Sequence, residues 1–191
     1  MIVMPALEES MESSVAARLT RLEEQMQRQQ SGTKDQLSLF VFSGDWDKLF
    51  SAFVLATGAA ASGTRVVMFF TFWASAALRR GEKVRAPKSW LERMFGGMLP
   101  RGSRRTALSR MNFGGMGLRM MQMMMRQKKI ASLEELISTA GDLGVEINIC
   151  EMSMDIIGFR REEMFDYPGL SFCGVQTFLE TAAEGKVTLY I

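Results

Sequence analysis

Apolar runs of strand length alternate along this chain with stretches of helical spacing. Residues 37–43 (Leu-Ser-Leu-Phe-Val-Phe-Ser) and 64–70 (Thr-Arg-Val-Val-Met-Phe-Phe) are such runs. A strand covered on both faces in a parallel sheet reads this way, because both sets of alternating side chains are buried. Between them Gly44-Asp45 turns the chain, and Asp45 is placed to cap a helix reaching about Ser62. Leu49, Phe53, Val54 and Ala56 form the packing side of that helix, and Gly63 ends it. The three segments predict a right-handed βαβ unit.

The alternation resumes after residue 130. Ser132 and Glu135 form a capping box for a helix over 133–143, which Gly144 ends. A strand over 145–149 follows, then a helical turn through Met154 to Gly158 and the turn Asp166-Tyr167-Pro168-Gly169. A short strand about 170–172, a helix over 174–183 and a strand over 187–191 close the chain. Strands alternating with helices predict a three-layer α/β/α fold with a mostly parallel sheet.

Two stretches fall outside this rhythm. In residues 7–30, Val15, Leu19, Leu22 and Met26 follow the four-three-four spacing of a short coiled-coil seam. Two heptads are marginal alone, so the seam needs a partner or a domain surface. Ser31-Gly32-Thr33 breaks the pattern, which divides the chain into a helical arm over 1–32 and an α/β domain over 33–191. The second stretch is an insertion over about 79–129, where fourteen basic residues face two acidic ones for a charge of about +12. It carries Gly96-Gly97, Gly114-Gly115, Gly117 and the methionines 116, 120, 121, 123, 124 and 125.

Several readings of the insertion compete. Nucleic-acid binding would use the charge, but aromatic platforms such as Phe95 and Phe113 are few. A membrane surface would take Met and Arg together, as an interfacial helix does. A flap over a reactive rim would use the adaptability of methionine toward a partner or apolar ligand. A core-packing helix with a solvated basic face is the plainest alternative. Gly114-Gly115-Met116-Gly117 is not a phosphate loop, since no Lys-Ser or Lys-Thr follows.

Composition then narrows the chemistry. The chain has no histidine, which excludes imidazole triads and His-based metal sites. Its two cysteines, Cys150 and Cys173, have no Cys-x-x-Cys spacing, and no zinc site or cofactor site is expected. Thiol chemistry without a histidine base remains. Cys150 stands where the strand over 145–149 gives way to helix, the carboxyl-end rim where open α/β sheets collect ligands. A helix start or nearby cations would favour its thiolate, whereas Glu151 and Asp155 would oppose it unless they face elsewhere. Free cysteine is also among the most buried residue types, so packing stands beside function as a reading. Trp73, at the end of the strand over 64–70, shares that rim if the sheet is parallel. Glu8, Glu9 and Glu12 stand where a signal peptide would be basic or apolar. The uncharged run 66–78 is shorter than the roughly 20 residues of a membrane span, so the cytoplasm is the expected compartment.

Five blocks in order give the chain a resemblance to the DsrE/DsrF/DsrH-like family, in its branch with a Gly- and Met-rich insertion. They are residues 42–48 (Phe-Ser-Gly-Asp-Trp-Asp-Lys), 69–73 (Phe-Phe-Thr-Phe-Trp), 111–117 (Met-Asn-Phe-Gly-Gly-Met-Gly), 150–155 (Cys-Glu-Met-Ser-Met-Asp) with Gly158, and 188–191 (Thr-Leu-Tyr-Ile). The resemblance covers about residues 37–191. It implies a five-stranded parallel α/β domain that forms homo-oligomers and takes part in sulfur trafficking. It also implies that Cys150 bears sulfur as a persulfide or thiosulfonate and passes it to a carrier of the TusA or rhodanese type. Ser43, Gly44, Asp45, Thr71, Trp73, Met152 and Ser153 are the accompanying rim positions. No role carries over to Cys173, where relatives commonly have a small residue. The competing expectation is a non-catalytic oligomeric module whose insertion binds a partner or a membrane surface.

Overall fold

The computed structural model describes Val15 and residues 18–24, 34–82 and 88–191. The chain divides into two compact units, residues 1–34 and 35–191. In the first, residues 18–24 are helical, and Val15, Leu19 and Leu22 are exposed. Met26, the fourth position of the predicted seam, lies outside the described residues, as does most of the arm.

The second unit is built on a sheet of five parallel strands: β1 (Lys34–Val41), β2 (Arg65–Phe70), β3 (Glu146–Cys150), β4 (Leu170–Cys173) and β5 (Gly185–Tyr190). Their order is β4-β3-β2-β1-β5. Phe40 pairs with Phe69, Phe69 with Asn148, and Cys150 with Cys173. Beyond the end of β5, Ile191 N donates to Phe40 O at 2.9 Å and Phe42 N donates to Ile191 O at 3.0 Å. The helices are α1 (Trp46–Ala61), α2 (Trp73–Ala77), α3 (Trp90–Met98), α4 (Met116–Gln127), α5 (Leu133–Asp142), α6 (Glu151–Ile157) and α7 (Val175–Ala183).

The strand order decides which helix lies on which side. From β1 to β4 the chain steps in one direction, and right-handed crossovers then place the connecting helices on one face. The step from β4 back past β1 to β5 reverses direction and puts α7 on the other. The first face holds the larger core: Leu37, Leu39, Val41, Val66, Met68, Phe70, Ile147 and Ile149 pack with Leu49, Phe53 and Ala56 of α1 and Leu133 and Ala140 of α5. On the second face Phe69, Cys150 and Phe178 form a separate buried cluster, flanked by Phe40, Cys173 and Ala182.

Strand ends differ from the apolar runs in an informative way. β1 starts three residues early, at Lys34, because Gln36 is buried and satisfied: its amide donates to Ser38 Oγ at 3.0 Å and Thr181 O at 2.8 Å, and accepts from Arg65 at 2.7 Å. β3 runs one residue further than expected, so Cys150 is its last residue, and α6 begins at once with Glu151. The capping box at Ser132 forms as expected, and a second one, Ser89 with Glu92, opens α3.

The described part of the insertion is a structured layer. Leu108 and Leu118 are buried in the main core, with Leu99, Met121 and Met125 packed against it. One face of α4 is therefore core. On the other, Met116, Met120, Met123 and Met124 are exposed, together with Trp90, Met94 and Met98 of α3.

Candidate functional site

The thiol, the loop after β1 and the loop after β2 all reach the carboxyl edge of the sheet, but as three groupings. The first is the thiol pair. Side chains alternate between faces along a strand, so Cys150, one residue past the core-facing Ile149, points to the α7 side. Its register partner Cys173 points the same way from β4. Cys150 is 1% exposed, covered by Phe69 and Phe178, whereas Cys173 is partly exposed; both thiols are free. The Phe69 and Phe178 rings stack with centroids 5.0 Å apart, and Phe40 lies 5.3 Å from Phe178. The carrier role that the resemblance implies calls for an exposed, ionisable thiol at this strand end. The thiol is instead roofed over, because α7 crosses the face onto which the pleat turns it.

Burial pushes the Cys173 thiol above its ordinary value, and the neighbouring Cys150 and Glu151 push it the same way. Less of it is thiolate at neutral pH, so alkylation of Cys173 in a Cys150→Ser variant should rise with pH later than for an unstructured cysteine peptide. Superimposable rate profiles would contradict this. Glu151, which the sequence set against thiolate formation, is paired with Arg161, whose guanidinium also lies 4.9 Å over the Phe172 ring.

The second grouping joins Thr71, just after β2, to Ser153 in α6. Their hydroxyls are 2.6 Å apart and both residues are buried, which ties the two loops together across the rim. The third is an open cleft of about 500 Å³ lined by Phe42, Ser43, Gly44, Asp45, Lys48, Trp73, Leu99, Pro100 and Ala107. It lies beside the junction of β1 and β5, where the strand order reverses and α/β sheets characteristically bind ligands. Four predicted rim residues, Ser43, Gly44, Asp45 and Trp73, meet here, and Cys150 is not among the lining. Met152, also predicted, is exposed and takes part in none of the three groupings.

The cleft residues depart from the expected roles in one respect. Asp45 occupies the N-cap position of α1 in extended conformation, but its carboxylate does not cap the helix. It accepts from Ser43 Oγ at 2.9 Å and pairs with Lys48 at 3.1 Å. The start of α1 is held instead by the insertion: Trp46 N donates to Ala107 O at 2.8 Å, and Asp47 accepts from Ser109 N at 2.8 Å and Ser109 Oγ at 2.6 Å. Gly44 has a steric reason to be glycine, since a Cβ there would lie 2.6 Å from Trp73 O. Gly44→Ala should push the Trp73 backbone away and cost about 1–3 kcal/mol in urea unfolding; an unchanged midpoint would mean that the two loops are not in tight contact.

The insertion is fastened beside α6 by a buried charge cluster that the sequence reading did not single out. Glu163 accepts from Arg79 at 2.7 Å and pairs with Lys88; Arg79 also donates to Gly96 O of α3 at 2.9 Å and lies 4.4 Å over the Phe159 ring. Gly158 ends α6 at φ +80°, and a Cβ there would lie 2.6 Å from Glu92 Cβ, so α3 rests directly on the end of that helix. Signals existed in sequence, an acidic pair after two arginines and a glycine after a short helix, but neither names its partner.

Among the described residues, no group of His, Cys, Asp and Glu could hold a metal ion, and no helix is long and apolar enough to cross a membrane.

A five-stranded parallel sheet of order 4-3-2-1-5 between helical layers, with a cysteine closing β3, defines a three-layer α/β domain. The model of the DsrE/DsrF/DrsH-like family matches residues 33–190, and the chain belongs to that family. It is similar to the uncharacterized protein YrkE of Bacillus subtilis (strain 168), with 41% identity over 154 residues that span 81% of this chain and 95% of that one. It is also similar to the sulfur carrier protein DsrE2 of Allochromatium vinosum, with 29% identity over 160 residues that span 82% of this chain and 98% of that one.

Proposed function

We propose that this chain carries sulfane sulfur or a thiosulfonate on Cys150 and hands it to another carrier protein, of the TusA or rhodanese type. The observation that carries this reading is Cys150 itself, the last residue of β3 in a domain whose relative is a sulfur carrier. In the first step the Cys150 thiolate attacks the outer sulfur of a donor persulfide and the donor thiolate leaves. In the second an acceptor thiolate attacks the outer sulfur now on Cys150, which departs as thiolate. Both steps are thiol exchange at sulfur and need no imidazole base, in keeping with a chain that has no histidine.

The aromatic cover suits a carrier. A persulfide held under Phe69 and Phe178 is shielded from water and oxidants until the acceptor docks. Peptide mass spectrometry after incubation with inorganic polysulfide and desalting should find added sulfur on the Cys150 peptide of the parent chain. A parent chain whose Cys150 peptide gains no sulfur would defeat the assignment.

A second reading is favoured by the insertion. Trp90 and Met98 of α3 are 75% and 78% exposed, and Met116, Met120, Met123 and Met124 of α4 are exposed as well, with Arg93 on the first helix and Arg119 and Arg126 on the second. Apolar and cationic helices of this kind suit an interaction module that docks on a partner or an anionic membrane. Vesicles containing anionic lipid should then pellet the parent chain and release a Met120→Glu/Met123→Glu variant; indifference of both to lipid would remove the membrane form of this reading.

A further inference from the structure

The buried position of Cys150 leaves a sulfur carrier with a delivery problem, and Cys173 stands where a solution would have to be. The two residues are register partners on adjacent parallel strands, on the same face, in one apolar cluster, with Cys150 covered and Cys173 partly open. We infer that Cys173 is a second sulfur-bearing site, the outer station through which sulfane sulfur reaches and leaves Cys150. The inference rests on the carrier reading above and adds to it the residue that meets the partner first.

Strand spacing favours transfer over bond formation between the two thiols. Neighbouring strands lie about 4.8 Å apart. A direct disulfide needs its Cβ atoms within about 4.5 Å and its sulfurs about 2.05 Å apart, so in-register residues would have to be drawn together. A sulfur passing between two cysteines makes a nearly linear S–S–S array of two bonds, spanning about 4 Å, which the spacing accommodates. The step balances without an outside oxidant. The Cys173 persulfide presents its outer sulfur to the Cys150 thiolate; a new S–S bond forms at Cys150 as the one at Cys173 breaks. Cys173 leaves as thiolate and takes up the proton that Cys150 gave up. No atom changes its total oxidation level across the pair, and the reverse step delivers sulfur outward. Phe178 and Ala182 stand over the exchange and keep competing thiols from the inner sulfur.

The test is a time course on the full chain with inorganic polysulfide as probe, quenched by alkylation and mapped by peptide mass spectrometry. Added sulfur should appear first on Cys173 and then on Cys150, as precursor and product. Cys173→Ser should slow loading of Cys150 at least about tenfold, and Cys150→Ser should hold sulfur on Cys173 with nowhere to pass it. Loading of Cys150 from the start with Cys173 unmodified, loading of Cys173→Ser at the parental rate, or closure to a Cys150–Cys173 disulfide with loss of hydrosulfide would each overturn the inference. Thermal melting of Cys173→Ser establishes that it folds, and the parental time course decides the matter without any variant. Failure of the carrier reading looks different: no sulfur on Cys150 of the parent at any time.

Discussion

Phe178→Ala is expected to cost about 3–5 kcal/mol in urea unfolding, the range for truncating a fully buried phenylalanine. Phe178 is the one residue of α7 that is fully buried, and its ring contacts Phe69 and Phe40 at once. Without it α7 loses its main hold on the sheet. The same substitution should uncover the thiol beneath, so Cys150 should alkylate faster under native conditions while Cys173, already partly open, changes less. A loss below about 1 kcal/mol together with unaltered Cys150 labelling would show that something other than this helix covers the strand end.

Glu163→Ala should be comparably severe, at about 3–5 kcal/mol, because it leaves Arg79 and Lys88 buried without their counter-charge. Burial alone would raise the Glu163 carboxyl; hydrogen bonds and charge from Lys88 and Arg79 outweigh it and hold the group below its usual 4.5. A depressed carboxylate stabilises the fold fully above that ordinary value and loses its contribution as pH falls through the lowered one. The parent should therefore lose stability on acidification below about pH 4.5, and Glu163→Ala should lack that component. The cluster also joins the segment before α3 to the loop after α6, so the variant should loosen the insertion and raise proteolysis within residues 79–129. A variant as stable as the parent at neutral pH would mean the charges are solvated rather than buried.

Much of the architecture could be read from hydrophobic spacing. The apolar runs at 37–43 and 64–70 mark the two central strands, whose both faces are covered, and the capping box at Ser132 marks its helix. The edges were less legible for a physical reason. Gln36 sits in β1 as a polar residue satisfied by Arg65 and by Thr181 O, so a pattern based on apolar side chains passes over it. Ser43, Gly44, Asp45 and Trp73 follow strand ends, a local property of the sequence, and line one cleft. That these residues form a cleft apart from Cys150, and that Cys150 is covered, depends on strand order and on the side from which α7 returns. The register of Cys150 with Cys173, 23 positions apart, is likewise a property of pairing across the sheet. For the insertion, the methionine run left several readings open, and only packing separates Leu118, Met121 and Met125, set in or against the core, from the exposed methionines.

A sulfur carrier must give up its sulfur, so transfer from Cys150 to a second carrier is the decisive experiment. The parent chain, loaded with radiolabelled polysulfide and desalted, is mixed with a TusA-type carrier and the two are separated. Label should move to the carrier from the parent chain as it leaves Cys150, and Cys150→Ser, which can load only Cys173, should hand over markedly less. Label that stays on the parent chain, or that moves equally well from Cys150→Ser, would contradict the carrier role of Cys150.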